Sequence, residues 1–273
     1  MTLKKGAVGS QVTELQKLLT AAGYPVEPDG WFGDATEKAV LQFQRDHLVT
    51  PIGQAGPRTM AALRGKQLGN QLTIGDLQAA AIELGLSLPI MAAFAQVEAA
   101  GEGFDTLQRP RILFERHIFY KQLAASLGTA AADDMARKYP QLCNPKRGGY
   151  QGGATEWSRL QTAMTISRNA AIESASWGMF QIMGFHWQSL GYASAADFMA
   201  AMCRSESQHL QAVTKFIAND RTLLAALKAR KWADAARRYN GPAYKENRYD
   251  QKLAEAYAHF CTEYPEPEVS DVA

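Results

Sequence analysis

The sequence predicts a mainly α protein: a three-helix module over residues 1–64, a linker over 65–72, and a larger helical domain over 73–273 with at most a small β ribbon. Three observations carry this. Apolar residues recur at i, i+3 and i+4 through most of the chain, the period of a half-buried helix. A glycine-threonine turn pattern occurs twice within the first 64 residues. Only one short stretch, "RPRILFERH" at 109–117, has a β-like run, formed by Ile112, Leu113 and Phe114.

Taken in order, "SQVTELQKLLTAAGY" puts Val12, Leu15, Leu18 and Leu19 on one helical face, with Ser10 as its cap and Gly23 as its end. "DATEKAVLQFQRDH" repeats the logic with Ala39, Val40 and Phe43 inward. The turn pattern is "DGWFGDAT", with Gly30, Gly33 and Thr36, echoed by "IGQAGPRT", with Gly53, Gly56 and Thr59. Paired glycines permit turns at positive φ, and each Thr is placed to cap the following helix; the plainer reading is that the glycines only punctuate turns. "RGKQLGNQL" lacks periodicity and reads as the linker. Thr73 and Asp76 then sit like a capping pair. Helices are expected at about 73–84, 87–100, 117–138, 155–170, 196–218, 220–229, 231–239 and 246–262.

Composition narrows the function classes. With 273 residues, 47% hydrophobic and 10% aromatic, the chain can bury a substantial core, which argues against disorder. A net charge of +2 demands no nucleic-acid partner. The cysteines, Cys143, Cys203 and Cys261, are odd in number and far apart, so no disulfide framework is expected. No C-x-x-C or H-E-x-x-H occurs, so neither a dedicated metal site nor a cofactor is expected. The start, "MTLKKGAVGSQV", has no apolar segment of signal-peptide type, and no run of about 18 apolar residues exists to span a membrane. A monomer made and folded in a cytosol, without stable membrane association, is the expectation. The acidic tail "YPEPEVSDVA" reads as a frayed end without the basic amphipathic face that would disturb a membrane.

Five places could carry chemistry. Glu98, in "FAQVEAAGEGFD", ends a helix pattern whose neighbours Phe94, Val97 and Ala99 are apolar, with Gly101 soon after. The plain reading is a solvated carboxylate. The chemical one is a carboxyl whose charged form is destabilised, so that it holds a proton near neutrality and can protonate a glycosidic oxygen. "ESASWGMFQIMGFHW" at 173–187 reads as a core helix after a turn, or as a cleft wall in which Gly178 admits a ligand and Gln181 faces it. In "RRYNGPAY", Asn240 and Gly241 end a helix before Pro242, which leaves the Tyr239 ring to stack under a sugar. Glu115, in "LFERH", is either an ion-pair partner of Arg111, Arg116 or His117, or a second carboxylate that activates water. Inverting hydrolysis places two carboxyls about 6.5–9.5 Å apart. Glu102, Asp105 and Glu173 are rivals for that role. "NPKRGGYQGGATEW" reads as an ordinary loop or, better, as a mobile glycine-rich flap whose Tyr150 could touch sugar; with no G-K-[ST], phosphate binding is disfavoured. A cysteine nucleophile at Cys143 lacks any sign of activation.

Two longer patterns resemble known families. "LKKGAVGSQVTELQKLLTAAGY…DGWFGDATEKAVLQFQRDHLV…IGQAGPRTMAAL" resembles the three-helix peptidoglycan-binding module, which implies wall-glycan anchoring through a loop exposing Asp29, Trp31 and Phe32. V-E-x-x-G, S-W-G-M-F-Q-I-M and R-Y-N-G occur in the order seen in the lysozyme superfamily. With "RPRILFERHIFY" and "YPQLCNPKRGGYQGGATEWSRL", the second domain resembles the N-acetylmuramidase domain of modular bacteriophage endolysins of Gram-negative hosts over about residues 75–265. That resemblance implies Glu98 as general acid, with Ser176, Gln181, Tyr239 and Asn240 in supporting or sugar-contact roles. Glu-Ala (Glu98, Ala99) stands where many relatives have Glu-Ser. It further implies cleavage of the β-1,4 bond between N-acetylmuramic acid and N-acetylglucosamine during host lysis. Peptidoglycan strands would be the partner, and a holin-type pore would release the enzyme from the host cytoplasm to the wall. A lytic transglycosylase, or a wall-binding or virion protein without activity, are the alternatives.

Overall fold

The computed structural model describes residues 2–47, 49, 53–65, 71–99 and 102–265. Linker positions 66–70, the expected helix breaker Gly101 and the tail from 266 onward lie outside the described residues. The chain forms two compact units, one of residues 1–102 with 220–273 and the other of residues 103–219. The described residues contain fourteen α-helices and one three-stranded sheet.

The first unit opens with α1 (Ser10–Ala21), α2 (Asp34–Asp46) and α3 (Pro57–Leu63). Val12, Leu15, Leu19, Phe32, Val40 and Phe43 form their core. The echoed turns are held by buried glutamines. Gln16 accepts the Gly30 N–H at 2.9 Å and donates to the Thr36 hydroxyl at 3.0 Å. Gln44 does the same for Gly53 and Thr59, both at 3.0 Å. The threonines therefore answer a buried amide and do not cap the helices, whose N-caps are Gly33 and Gly56 without side-chain bonds. Positive φ is needed only at the first glycine of each pair, Gly30 (77°) and Gly53 (69°). At Gly33 the constraint is space: a Cβ would sit 2.9 Å from the Trp31 ring.

The same unit continues with α4 (Ile74–Leu84) and α5 (Leu88–Glu98), and closes with α12 (Arg221–Lys228), α13 (Trp232–Asn240) and α14 (Tyr249–Glu263). The Thr73–Asp76 pair forms a reciprocal capping box on α4, and Gly85 ends that helix in the left-handed conformation. Residues 89–95 and Glu98 are buried, so α5 is enclosed on all sides, which is why its sequence is apolar around its whole circumference. It packs against α4 and α14. No single described helix is long and apolar enough to cross a membrane.

The second unit comprises α6 (Arg116–Leu127), α7 (Thr129–Lys138), α8 (Thr155–Ile166), α9 (Arg168–Glu173), α10 (Ala195–Met202), α11 (Glu206–Asn219) and the antiparallel strands β1 (Ile112–Phe114), β2 (Ala175–Trp177) and β3 (Ile182–Met183). The register pairs Leu113 with Ser176, and Ser176 with Met183. The strand expected at "ILF" is present. Its partners come from 175–183, a stretch whose plain sequence reading was a core helix. Three single helices expected from periodicity are pairs: 117–138 breaks at Gly128 (φ 90°), 155–170 at Ser167 and 196–218 after Met202. Short polar or glycine breaks do not disturb an apolar period, so the pattern alone runs through them. Trp177 is fully buried, edge-on to Trp157 and Phe198, and donates to the Ile172 carbonyl at 3.0 Å.

Past the sheet, Gly184 leaves no room for a side chain. A Cβ there would lie 2.0 Å from the Ile172 carbonyl oxygen and 2.8 Å from its carbon, both backbone atoms. Gly184→Ala is therefore expected to destabilise by about 3 kcal/mol or more, the upper end of overpacking, read from chemical denaturation. A denaturation midpoint equal to wild type would contradict the packing described.

Candidate active site

Glu98 is the last residue of α5 and is 8% exposed. The helix ends there because Ala99 already has extended backbone (φ −67°, ψ 120°). Its hydrogen-bond partner among the described residues is Asn240, at the end of α13, whose Nδ2 donates to both carboxyl oxygens at 2.9 Å. Gly241 (φ 82°) follows Asn240 and turns the chain away before Pro242, so the amide is fixed at a helix terminus. Burial pushes the Glu98 carboxyl up to about 7, against the Asn240 hydrogen bond and the charge of Lys252 from α14, which both pull it down. The C-terminal end of a helix adds a negative potential in the same sense as burial. The outcome is a carboxylic acid that holds its proton near neutrality and has a donor ready for the anion left when it lets go.

Around it lies an aromatic wall. Phe94, one turn back on α5, meets Tyr239 edge-on with ring centroids 5.1 Å apart. Burial, then the nearby Glu98 charge, raises the Tyr239 hydroxyl well above its ordinary range and raises Tyr249 in the same way. Val97, Trp232 and Tyr249 pack on the buried Ala236, Tyr244 and Leu253 beneath. The Tyr239 ring is half-buried and packed by its edge on Phe94, and its neighbour Asn240 is the residue that reaches the acid.

The second unit contains the other expected residues. Ser176 is buried on β2 and donates to Gln181 Oε1 at 2.7 Å. The Gln181 amide donates to the Gly178 carbonyl at 2.8 Å and to that of Arg111 at 3.4 Å. Gln181 itself adopts a left-handed φ of 50°, a conformation that costs a non-glycine residue about 1 kcal/mol or more and persists where surroundings enforce it. The His209 ring packs against the turn that leads into it. A Cβ on Gly178 (φ 70°) would stand 2.6 Å from that ring, and one on Gly103 2.7 Å from it. His209 Nδ1 accepts from the Met179 N–H at 3.2 Å and Nε2 donates to the Met202 carbonyl at 2.7 Å, which fixes a neutral tautomer. Burial lowers its pKa accordingly. Sequence reading missed His209; on an apolar helical face it looks like any core residue.

Glu115 is the N-cap residue of α6 and is 7% exposed. Its Oε2 accepts from the Tyr150 hydroxyl at 2.8 Å and lies 3.1 Å from His117 Nδ1, while Arg147 Nε donates to the same hydroxyl at 3.1 Å. Of the three ion-pair partners expected from the sequence, His117 is the one found. Tyr150 is exposed at the ring, and the glycine-rich stretch is anchored: fully buried Glu156 accepts the Gln151 and Gly152 N–H groups at 2.7 and 2.9 Å and pairs with Arg159 at 2.6 Å. The loop is thus pinned at its base by Glu156.

The rival carboxylates are each occupied. Glu102 accepts the Arg58 N–H at 3.1 Å at the start of α3. Asp105, raised by burial, is carried below the usual carboxylate range by Arg109 and two backbone N–H groups. Glu173 accepts from the Trp187 indole at 2.8 Å. Cys143 is buried and pushed up to about 11, the reverse of an activated thiolate. In the first unit, Trp31 is 58% exposed and Asp29 is exposed beside it, whereas Phe32 is fully buried in the three-helix core. The expectation of an exposed Phe32 is corrected: its alternation with Trp31 turns it inward, so it cannot meet glycan.

Residues 87–261 match the N-acetylmuramidase family, and residues 8–63 match a peptidoglycan binding domain. The chain is similar to the crystal structure of the Burkholderia AP3 phage endolysin, at 46% identity and a TM-score of 0.79, over 96% of this chain and 100% of that one.

Proposed function

Since the chain belongs to the N-acetylmuramidase family, we propose that it cuts the β-1,4 bond between N-acetylmuramic acid and N-acetylglucosamine with Glu98 as the general acid. It is a modular phage endolysin, a glycoside hydrolase of the lysozyme type whose substrate is peptidoglycan. The observation that supports the assignment of the acid is the buried Glu98–Asn240 pair, with a carboxyl poised at about 7. Glu98 gives its proton to the glycosidic oxygen as the C1–O bond breaks, and the electron pair of that bond leaves with the oxygen. The sugar becomes an oxocarbenium ion, and Asn240 Nδ2 stabilises the carboxylate that remains. Water then adds to C1 and loses a proton.

Glu115 is proposed as the carboxylate that receives that proton, with Tyr150 and His117 setting its orientation. Ser176, Gln181 and Asn240 are assigned supporting roles, and Tyr239 and Tyr150 are each assigned a sugar contact. Glu115→Gln is expected to lower turnover about 10²-fold or more on purified sacculi while products stay hydrated. Mass spectrometry decides: wild-type activity in Glu115→Gln removes Glu115 from the chemistry, and a 1,6-anhydro product, lighter by one water, replaces hydrolysis by intramolecular attack of the sugar's 6-hydroxyl.

The proposal takes residues 1–64 as the wall-binding module, with Asp29 and Trp31 at the glycan, 65–72 as the linker and 73–273 as the catalytic domain. A monomer acts on the glycan strands, without nucleic acid or stable membrane partners. It is made in the host cytoplasm and reaches the wall through a holin-type pore.

A further inference from the structure

Far from Glu98 along α14, the first unit assembles a second polar cluster that the reaction does not use. Asp46 is the last residue of α2 and Glu263 the last of α14, with His259 one turn earlier on α14. Carboxylates at helix C-termini face the negative ends of two macrodipoles, the unfavourable position for an anion and the favourable one for a cation. One candidate ligand atom from each residue lies within 4.8 Å of the other two. His259 Nε2 stands 3.5 Å from Asp46 Oδ1 and 3.5 Å from Glu263 Oε1. The same Nε2 is shut off from solvent and makes no hydrogen bond, an orphaned buried nitrogen between two carboxylate oxygens.

Those spacings are long for hydrogen bonds and close to the edge of a tetrahedron. Ligand atoms about 2.0–2.1 Å from a zinc ion stand roughly 3.3 Å apart. The carboxylate is also oriented from behind: the Tyr24 hydroxyl donates to Asp46 Oδ2 at 2.8 Å, and Gln42 Nε2 donates to Oδ1 at 2.9 Å. Outer partners of this kind fix a ligand's direction in metal sites. All three side chains are one-fifth to one-quarter exposed, which leaves an entry path and room for water as a fourth ligand.

We propose that Asp46, His259 and Glu263 form a divalent-cation site, suited to Zn²⁺ by its one-nitrogen, two-carboxylate donor set, which ties the end of α2 to the end of α14. The site is structural. It clamps the three-helix module to the helix that packs behind α5, and it takes no part in glycan cleavage.

The test is calorimetric titration of ZnCl₂ into the full chain after chelator dialysis, with CoCl₂ as a spectroscopic probe. One equivalent is expected to bind, with the visible bands of tetrahedral Co²⁺ and a rise in thermal midpoint. His259→Gln and Glu263→Gln should each weaken binding at least about 10–100-fold, the loss known for outer partners alone. Glu255→Gln, on the same helix but paired with Arg248, should bind as wild type does. Should His259→Gln fail to fold, Glu263→Gln at the helix end carries the comparison. Absence of stoichiometric binding, or binding that survives both substitutions, overturns the proposal. So does a midpoint that depends on His259 in metal-free buffer and ignores added zinc, because that is the signature of an imidazolium ion pair.

Discussion

Glu98→Gln protein is expected to fold, to bind peptidoglycan and to clear outer-membrane-stripped cells about 10²–10⁴-fold more slowly than wild type. That range is what a positioned general acid supplies, and the amide is nearly the shape of the acid it replaces. Folding survives because the site already favours the neutral form: burial holds the carboxyl at about 7, so an uncharged side chain suits the pocket. The decisive measurement is initial rate on purified sacculi, with circular dichroism on the same sample. Wild-type rates in the variant would remove Glu98 from catalysis; loss of both rate and fold would make it a structural residue.

The second large effect concerns stability and has the opposite sign from the usual carboxylate. The folded Glu98 carboxyl titrates at about 7, above its ordinary 4.5, so the folded state binds the extra proton between those values. Where the folded state holds more protons than the unfolded one, stability falls as pH rises. The cost begins above pH about 4.5, grows through 7 and is complete beyond it. At about 1.4 kcal/mol per unit of displacement it amounts to about 3 kcal/mol. Glu98→Gln has no such group, so urea denaturation at pH 8 should find it more stable than wild type by up to about 3 kcal/mol, with the difference vanishing near pH 4. Equal stabilities at pH 8 would show that the carboxyl is not desolvated. Activity carries the same titration: the rate should fall about tenfold per unit above pH 7, as the proton to be donated is lost.

Several elements were legible from residues alone. Thr73 and Asp76 announce α4, and "ILF" announces β1, because caps and short apolar runs act within a few residues of themselves. Glu98 was legible as a carboxyl ending an apolar helix, and Asn240–Gly241 as the end of another. That the two ends meet, with one amide bridging both carboxyl oxygens, was not, since nothing local connects α5 to α13. Phe32 misled because a loop aromatic beside an exposed Trp31 looks exposed until the core that receives it is known. The hairpin of β2 and β3 was not legible: the stretch reads as a core helix after a turn or as a cleft wall, because Met179, Phe180, Ile182 and Met183 satisfy either period. The turn between the two strands holds the left-handed Gln181 and packs on His209, which comes from a helix further along the chain.

The sequence by itself determined which segments become helices, where most of them stop, and that a lone acid ends one of them among apolar neighbours, since these depend on periodicity and on capping groups close in the chain. Tertiary structure alone decided what each polar group answers to: Asn240 for Glu98, Tyr150 for Glu115, Gln16 for Gly30 and Thr36, and Asp46 for His259. The physical reason is that desolvation and hydrogen bonding depend on distance in space. A carboxyl's pKa is set by whatever the fold places within a few ångströms of it, however remote in sequence.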